Sequence, residues 1–301
     1  MCRLLATSNM KVTSKDLLSL QISNGGEGDG FITLEKQVVP KSYEGITTKK
    51  EHVGSFWIHR FLGKEYTWEY EETKVVQGQL RKIPKTRKEY DALHYRLLPH
   101  TFLYHTRIAS RGEVSLQKTH PAVGKRYLVM QNGTETITYK AETDFESALF
   151  LLEDGLIQPE ALAYITTSNW FIVDTEEYTV YFVSAKKHDP LVITYIDESH
   201  FIIASEPIPS YEKQKWYEFH GILQGTIDVD TNTITLDFCD APIFYEHVST
   251  HNKWHWYDSY YYYEEEDTKT NDDTNTHYDE EFADNRDIPS FIQNKKKKFK
   301  R

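Results

Sequence analysis

A chain of 301 residues carrying a formal charge of −11 is long enough to bury a substantial core, and its sign argues against nucleic acid as the main partner of the whole molecule. Two cysteines, Cys2 and Cys239, exclude a disulfide scaffold and point to a reducing, cytoplasmic setting. No apolar h-region follows Met1, and no run approaches the roughly 18–20 apolar residues that span a bilayer, so no membrane partner is expected.

In chain order, a short apolar stretch leads to Asn24-Gly25-Gly26-Glu27-Gly28-Asp29-Gly30, where four glycines in seven residues mark a turn that allows close backbone approach. Phe31-Ile32-Thr33-Leu34 follows as a strand. The charged segment 86–98, with spaced apolar residues, predicts a helix. β-Branched and aromatic runs predict strands at 126–131, 163–173, 178–184, 191–195, 200–204 and 222–236. A second helix is expected at 143–153, where Thr143 and Glu146 have capping-box spacing before an apolar run. Strands dominate and helices are few, which indicates an α+β fold with large sheets.

Composition changes near residue 250. Glu264-Glu265-Glu266-Asp267 gives way to Asn, Asp and Thr, then Asp279-Glu280-Glu281, and the chain closes on Lys295-Lys296-Lys297-Lys298-Phe299-Lys300-Arg301. Such blocks bury too little apolar surface to offset ordering entropy, so 257–301 is expected to be a flexible acidic-then-basic tail. Its basic end suits nucleic acid, an acidic protein or a membrane surface; the simpler reading is a solubilising tail whose ends attract each other.

Cys2 follows the initiator methionine directly. Removal of Met1 would leave one residue carrying both a thiol and an α-amine, whose pKa of about 7.7–8 lets it accept the thiol proton, directly or through one water. A second-position cysteine alone is weak evidence. Downstream come His105-Thr106-Arg107-Ile108-Ala109-Ser110-Arg111-Gly112, Thr119-His120-Pro121, Gln131-Asn132-Gly133, Glu142-Thr143-Asp144-Phe145-Glu146 and Ile203-Ala204-Ser205-Glu206.

This ordered set, opened by Met1-Cys2-Arg3-Leu4-Leu5, resembles the class II glutamine amidotransferases, in particular the small stand-alone members that begin with a similar Met-Cys-Arg element. Gly28-Asp29-Gly30 is similar to that family's Asp-Gly turn, and Ala185-Lys186-Lys187-His188-Asp189-Pro190-Leu191 to its later Ala-Arg-Asp…Pro-Leu element. The resemblance covers roughly residues 2–245, and the domain is drawn at 2–250. It implies a four-layer αββα sandwich of the N-terminal-nucleophile hydrolase type, with no cofactor and no metal. Cys2 is implied as the nucleophile that forms a γ-glutamyl thioester, Asn132 and Gly133 as the oxyanion hole, Arg107 as the partner of the substrate carboxylate and Asp144 as that of its ammonium.

Read singly, the same residues have plainer explanations. Arg107 and Asp144 fit surface ion pairs, and Asn132-Gly133 fits a type I′ hairpin turn. Asp144 stands near a helix start that favours a carboxylate. His105 and His120 read as structural, Cys239 as a small core or strand residue, and His251 with His255 as a spacing without a third metal ligand. The chain departs from many relatives at Ile108, where tryptophan is common, and at Arg111 and Gln131, where histidine is. The leading expectation is hydrolysis of glutamine to glutamate and ammonia, the ammonia passing to a separate synthase or acceptor-supplying partner. The alternatives are a γ-glutamyl amide or peptide hydrolase, and a non-catalytic interaction module on the same fold.

Overall fold

The computed structural model describes residues 2–24, 27–36, 38–40, 46–76, 79–108 and 114–247. The expected tail at 257–301, His251, His255, Gly25, Gly26 and the segment containing Arg111 lie outside the described residues. In chain order the elements are β1 (Arg3–Ser8), α1 (Ser14–Asn24), β2 (Gly28–Thr33), β3 (Val39–Pro40), β4 (Thr47–Val53), β5 (Phe56–Leu62), β6 (Glu65–Val76), β7 (Gln79–Tyr90), β8 (Tyr95–Leu97), β9 (Phe102–Arg107), β10 (Ala122–Val123), β11 (Tyr127–Asn132), α2 (Asp144–Glu153) and α3 (Leu162–Ile165). They continue with β12 (Asn169–Asp174), β13 (Thr179–Ser184), β14 (Leu191–Tyr195), β15 (Phe201–Ala204), β16 (Tyr217–Phe219), β17 (Gly221–Asp228), β18 (Thr233–Asp237) and β19 (Phe244–Glu246).

Sheets dominate, as the composition of the strands predicted. A nine-stranded sheet has the order β19-β16-β14-β15-β1-β9-β2-β5-β4, and a six-stranded sheet the order β10-β11-β12-β13-β17-β18. Neighbours in both pair antiparallel. The central strands are buried along all or nearly all of their length, which is why apolar residues run on in them instead of alternating strictly with polar ones.

Alternation along those strands feeds different cores. Leu5, Phe31, Phe61, Phe102, Tyr104, Ile202 and Ala204 of the nine-stranded sheet pack with Leu17 and Leu20 of α1. Val129, Trp170, Ile172 and Val183 of the six-stranded sheet pack with Phe145, Ala148, Leu149 and Leu152 of α2 and Leu162 of α3. Phe182 and Phe201, from the two sheets, meet edge to face at 6.0 Å. Ser8 of β1 joins the sheets a second time, its Oγ accepting the Ile234 N–H at 2.9 Å and donating to the Ile234 carbonyl at 2.9 Å.

Several local expectations are corrected. Segment 86–98 is no helix: its first residues complete β7, which pairs with β6 as a two-stranded ribbon, and Tyr95–Leu97 forms β8 against β3. Residues 163–165, expected as strand, are helical, and β12 starts only at Asn169. The apolar stretch before the glycines contains helix α1. Its capping box is formed by Thr13 and Asp16: the Thr13 N–H donates to Asp16 Oδ2 at 2.8 Å, and the Asp16 N–H to Thr13 Oγ1 at 3.4 Å. At α2 the expected box does not close. Thr143 is the N-cap residue but bonds the Glu146 carboxylate directly, without capping an amide. Among the described residues, no helix is long and apolar enough to cross a membrane.

Candidate active site

The ends of four elements bring the predicted residues together. Cys2 immediately precedes β1, the middle strand of the larger sheet, and Arg107 closes the neighbouring β9. Asn132 closes β11, Gly133 follows it, and Asp144 is the first residue of α2. All but Gly133 are buried, Cys2 at 8% exposure and Asn132 at 1%.

The Cys2 thiol donates to the Ile108 carbonyl at 3.5 Å. Because the acceptor is backbone, replacement of a tryptophan side chain by Ile108 leaves that bond intact. Burial pushes the thiol pKa above its ordinary value; the Ile108 bond, the positive chain terminus and Arg107 pull it down, and Asp144 pushes it up. Burial likewise lowers the Arg107 guanidinium, against the opposing charges of Cys2, Glu27, Asp144 and Glu146. Cys2, Arg107 and Asp144 therefore lie in one another's fields although about 140 residues separate the first from the last.

Asn132 Nδ2 donates to Ser205 Oγ at 3.1 Å, and the same oxygen accepts the Leu4 N–H at 2.9 Å. Ser205 thus ties the amide of Asn132 to the strand that starts beside the thiol. Gly133 has φ +136°, and a Cβ there would stand 2.3 Å from Ser168 Oγ, so both conformation and space require glycine. The residue pair is not a hairpin turn: Asn132 pairs with Asn169, and the intervening chain passes through α2 and α3. Asp144 is 5% exposed and accepts three hydrogen bonds, its Oδ2 from Gln131 Nε2 at 3.1 Å and the Glu135 N–H at 2.6 Å, its Oδ1 from the Phe145 N–H at 3.1 Å. It is no surface ion-pair member.

His105 and His120 lie behind these residues with ring centroids 3.9 Å apart. His105 Nε2 bonds the Gln131 carbonyl at 2.9 Å. Burial brings the His105 pKa down to about 3 and that of His120 well below the usual histidine range, so both are neutral near pH 7. They hold the strand that carries Asn132, the His105 Nε2–H donating to the Gln131 carbonyl and His120 Nδ1 accepting the Gln131 N–H at 3.4 Å. Cys239 is exposed beyond β18, contrary to the expectation of a core or strand residue, because the chain has already left the sheet. Among the described residues, no group of three His, Cys, Asp or Glu side chains is arranged to hold a metal.

No motif in the sequence assigns a role to Ser205, Ser168 or Glu135. Ser205 at least stands in the Ile203–Glu206 element of the resemblance; Ser168 and Glu135 carry no local signal, because the partners of their side chains lie more than thirty residues away.

No family model matches the chain, and no curated protein matches it in sequence. Among solved structures the chain is similar to glutamine phosphoribosylpyrophosphate amidotransferase from B. subtilis complexed with ADP and GMP, at 14% identity over 79% of this chain and 49% of that one, with a TM-score of 0.44. The chain spans about half the length of that structure.

Proposed function

We propose that residues 2–250 form a four-layer αββα domain of the N-terminal-nucleophile type that hydrolyses the γ-amide of glutamine through a Cys2 thioester. The layering is supported by α1 on the larger sheet, α2 on the smaller one and the Phe182–Phe201 contact between them. One observation carries the chemistry: Cys2, Arg107 and Asp144 share one electrostatic environment, and Asn132 is hooked through Ser205 to the strand beginning next to the thiol.

In this reading Met1 is removed and the freed α-amine takes the Cys2 proton as Sγ adds to the γ-carboxamide carbon. A buried thiol with a raised pKa is unreactive until a base deprotonates it, and the amine is that base. The carbonyl oxygen becomes an oxyanion held by Asn132 Nδ2 and the Gly133 N–H. As the intermediate collapses, the C–N bond breaks and the nitrogen takes the proton from the ammonium, leaving as ammonia. Water then adds to the thioester carbon and gives a proton to the amine; the sulfur leaves, takes that proton back as thiol, and the freed γ-carboxylic acid ionises to glutamate. Arg107 holds the substrate α-carboxylate and Asp144 its α-ammonium. Ammonia passes to a separate acceptor chain.

The test is glutamate release from L-glutamine by protein whose intact mass shows Met1 removed, beside a Cys2→Ala variant. Release by the first and none by the second is expected. Activity retained by Cys2→Ala would overturn the nucleophile. Release from γ-glutamyl peptides but not from glutamine would move the substrate class.

A further inference from the structure

Two loops flank the proposed oxyanion donor, one following β11 and one preceding β12, and they are joined in a way the catalytic scheme does not use. The Gln131 side chain is 2% exposed and commits its amide nitrogen twice, donating to Asp144 Oδ2 at 3.1 Å and to Ser168 Oγ at 3.1 Å. A primary amide has two N–H groups in a fixed plane, so it acts here as a rigid two-pronged strut. Ser168 is fully buried, and its Oγ lies against Gly133 where a Cβ would stand. A second link runs parallel to the first. The Glu135 N–H donates to Asp144 Oδ2 at 2.6 Å, while Glu135 Oε1 accepts from the Thr167 N–H at 2.5 Å and from Thr167 Oγ1 at 3.0 Å. Asp144, Gln131, Ser168 and Gly133 therefore form one continuous chain of contacts, buried from Asp144 to Ser168.

From this chain we infer that Gln131 and Ser168 are positioning residues that lock the ammonium-binding carboxylate of Asp144 to the oxyanion donor Gly133. Seating the substrate ammonium and aiming the Gly133 N–H at the γ-carbonyl are then one event. The inference rests on the proposed reading of the site. Its consequence is that the α-ammonium group, several bonds from the reacting carbon, contributes to the rate of chemistry as well as to binding, because remote contacts hold the group that meets the oxyanion.

The measurement compares glutamine with glutaramate, the same molecule without the α-ammonium. Wild type should turn over glutaramate with both a lower kcat and a higher KM. Ser168→Ala should lower kcat on glutamine by about tenfold or more, the scale of a misplaced oxyanion donor, and lower it on glutaramate by less than about threefold. Gln131→Met, which breaks the strut from its other end, should give the same substrate-dependent pattern and serves if Ser168→Ala does not fold. Equal factors on both substrates would reduce Ser168 and Gln131 to general structural residues, and unchanged turnover of glutamine would remove the coupling altogether. A wild type that turns over neither substrate, or a Cys2→Ala variant that turns over glutamine, would instead overturn the reading of the site beneath it.

Discussion

At Gly30 the backbone leaves no room for a side chain: an added Cβ would stand 1.7 Å from the carbonyl oxygen of His120, which is itself backbone and has no rotamer to yield. Gly30→Ala should therefore destabilise the fold by about 3 kcal/mol, read as a drop in urea midpoint. Gly54 offers the contrast. It has φ +56° but open space around it, so Gly54→Ala should cost only the left-handed penalty, about 1–2 kcal/mol. The glycine-rich composition of 24–30 announced a turn with close approach, and at Gly30 the close approach is real, although the residue lies inside strand β2. What approaches it, the His120–Pro121 segment, comes from ninety residues away and has no local signature. The candidate site divides the same way. Cys2, Arg107, Asn132, Gly133 and Asp144 were legible as an ordered set of short motifs, whereas Ser168 and Glu135 act through contacts that only the assembled fold creates.

Among the elements, strands buried on both faces were the most legible, since continuous apolar runs such as 191–195 and 200–204 coincide with β14 and β15 nearly to the residue. The helix expected at 86–98 failed for a physical reason: its charged residues have good helix propensity, but pairing with β6 extends through Tyr90 and overrides it. Conversely, α1 was missed although the spacing of Thr13 and Asp16 was available to be read, and the same pattern at Thr143 and Glu146 marked a true helix without forming the box. The β6–β7 ribbon makes a prediction of its own. None of its described residues is buried, and Leu80 is 76% exposed. Replacing 67–88 by Asn-Gly, the favoured two-residue hairpin loop, should keep the Tyr66–Glu89 pair as the stem and shift the thermal midpoint by no more than about 4 °C, the equivalent of roughly 1 kcal/mol in a domain of this size.

For the molecule as a whole, buried titratable groups set opposing pH dependences. Asp29 is 1% exposed, with Gln21 Nε2 donating to its Oδ2 at 2.8 Å and the Tyr95 hydroxyl at 2.6 Å; burial raises its pKa to about 7 despite those bonds. The folded state then keeps a proton that the unfolded chain releases above about pH 4, so stability falls as pH rises from about 4 to 7 and falls no further beyond. The histidines act in the other direction. His59 and His105, lowered to about 4 and about 3, and His120, held well below the usual histidine range by burial, stay neutral where the unfolded chain takes up protons, so stability falls as pH drops below about 6.5. Near pH 5 the aspartate offsets one of these three. Asp29→Asn should therefore steepen the loss of stability on acidification, by about one proton near pH 5 and by about half a proton at pH 7. Chemical denaturation across a pH series checks both, and a slope unchanged from wild type would show that Asp29 is ionised in the fold.

The strand that begins beside Cys2 lies in the middle of its sheet, paired on one side with β9 and on the other with β15. On a ribosome making the chain from Met1, β15 emerges about 200 residues after β1, which at about 5–20 residues per second is about 10–40 s later. Throughout that interval the first residues have no complete place to dock and remain within reach of an aminopeptidase; once the sheet closes, Cys2 is 8% exposed. If Met1 is removed as proposed, the time before β15 pairs with β1 is when the amine of Cys2 is most easily freed, since the completed sheet holds Cys2 as a buried residue.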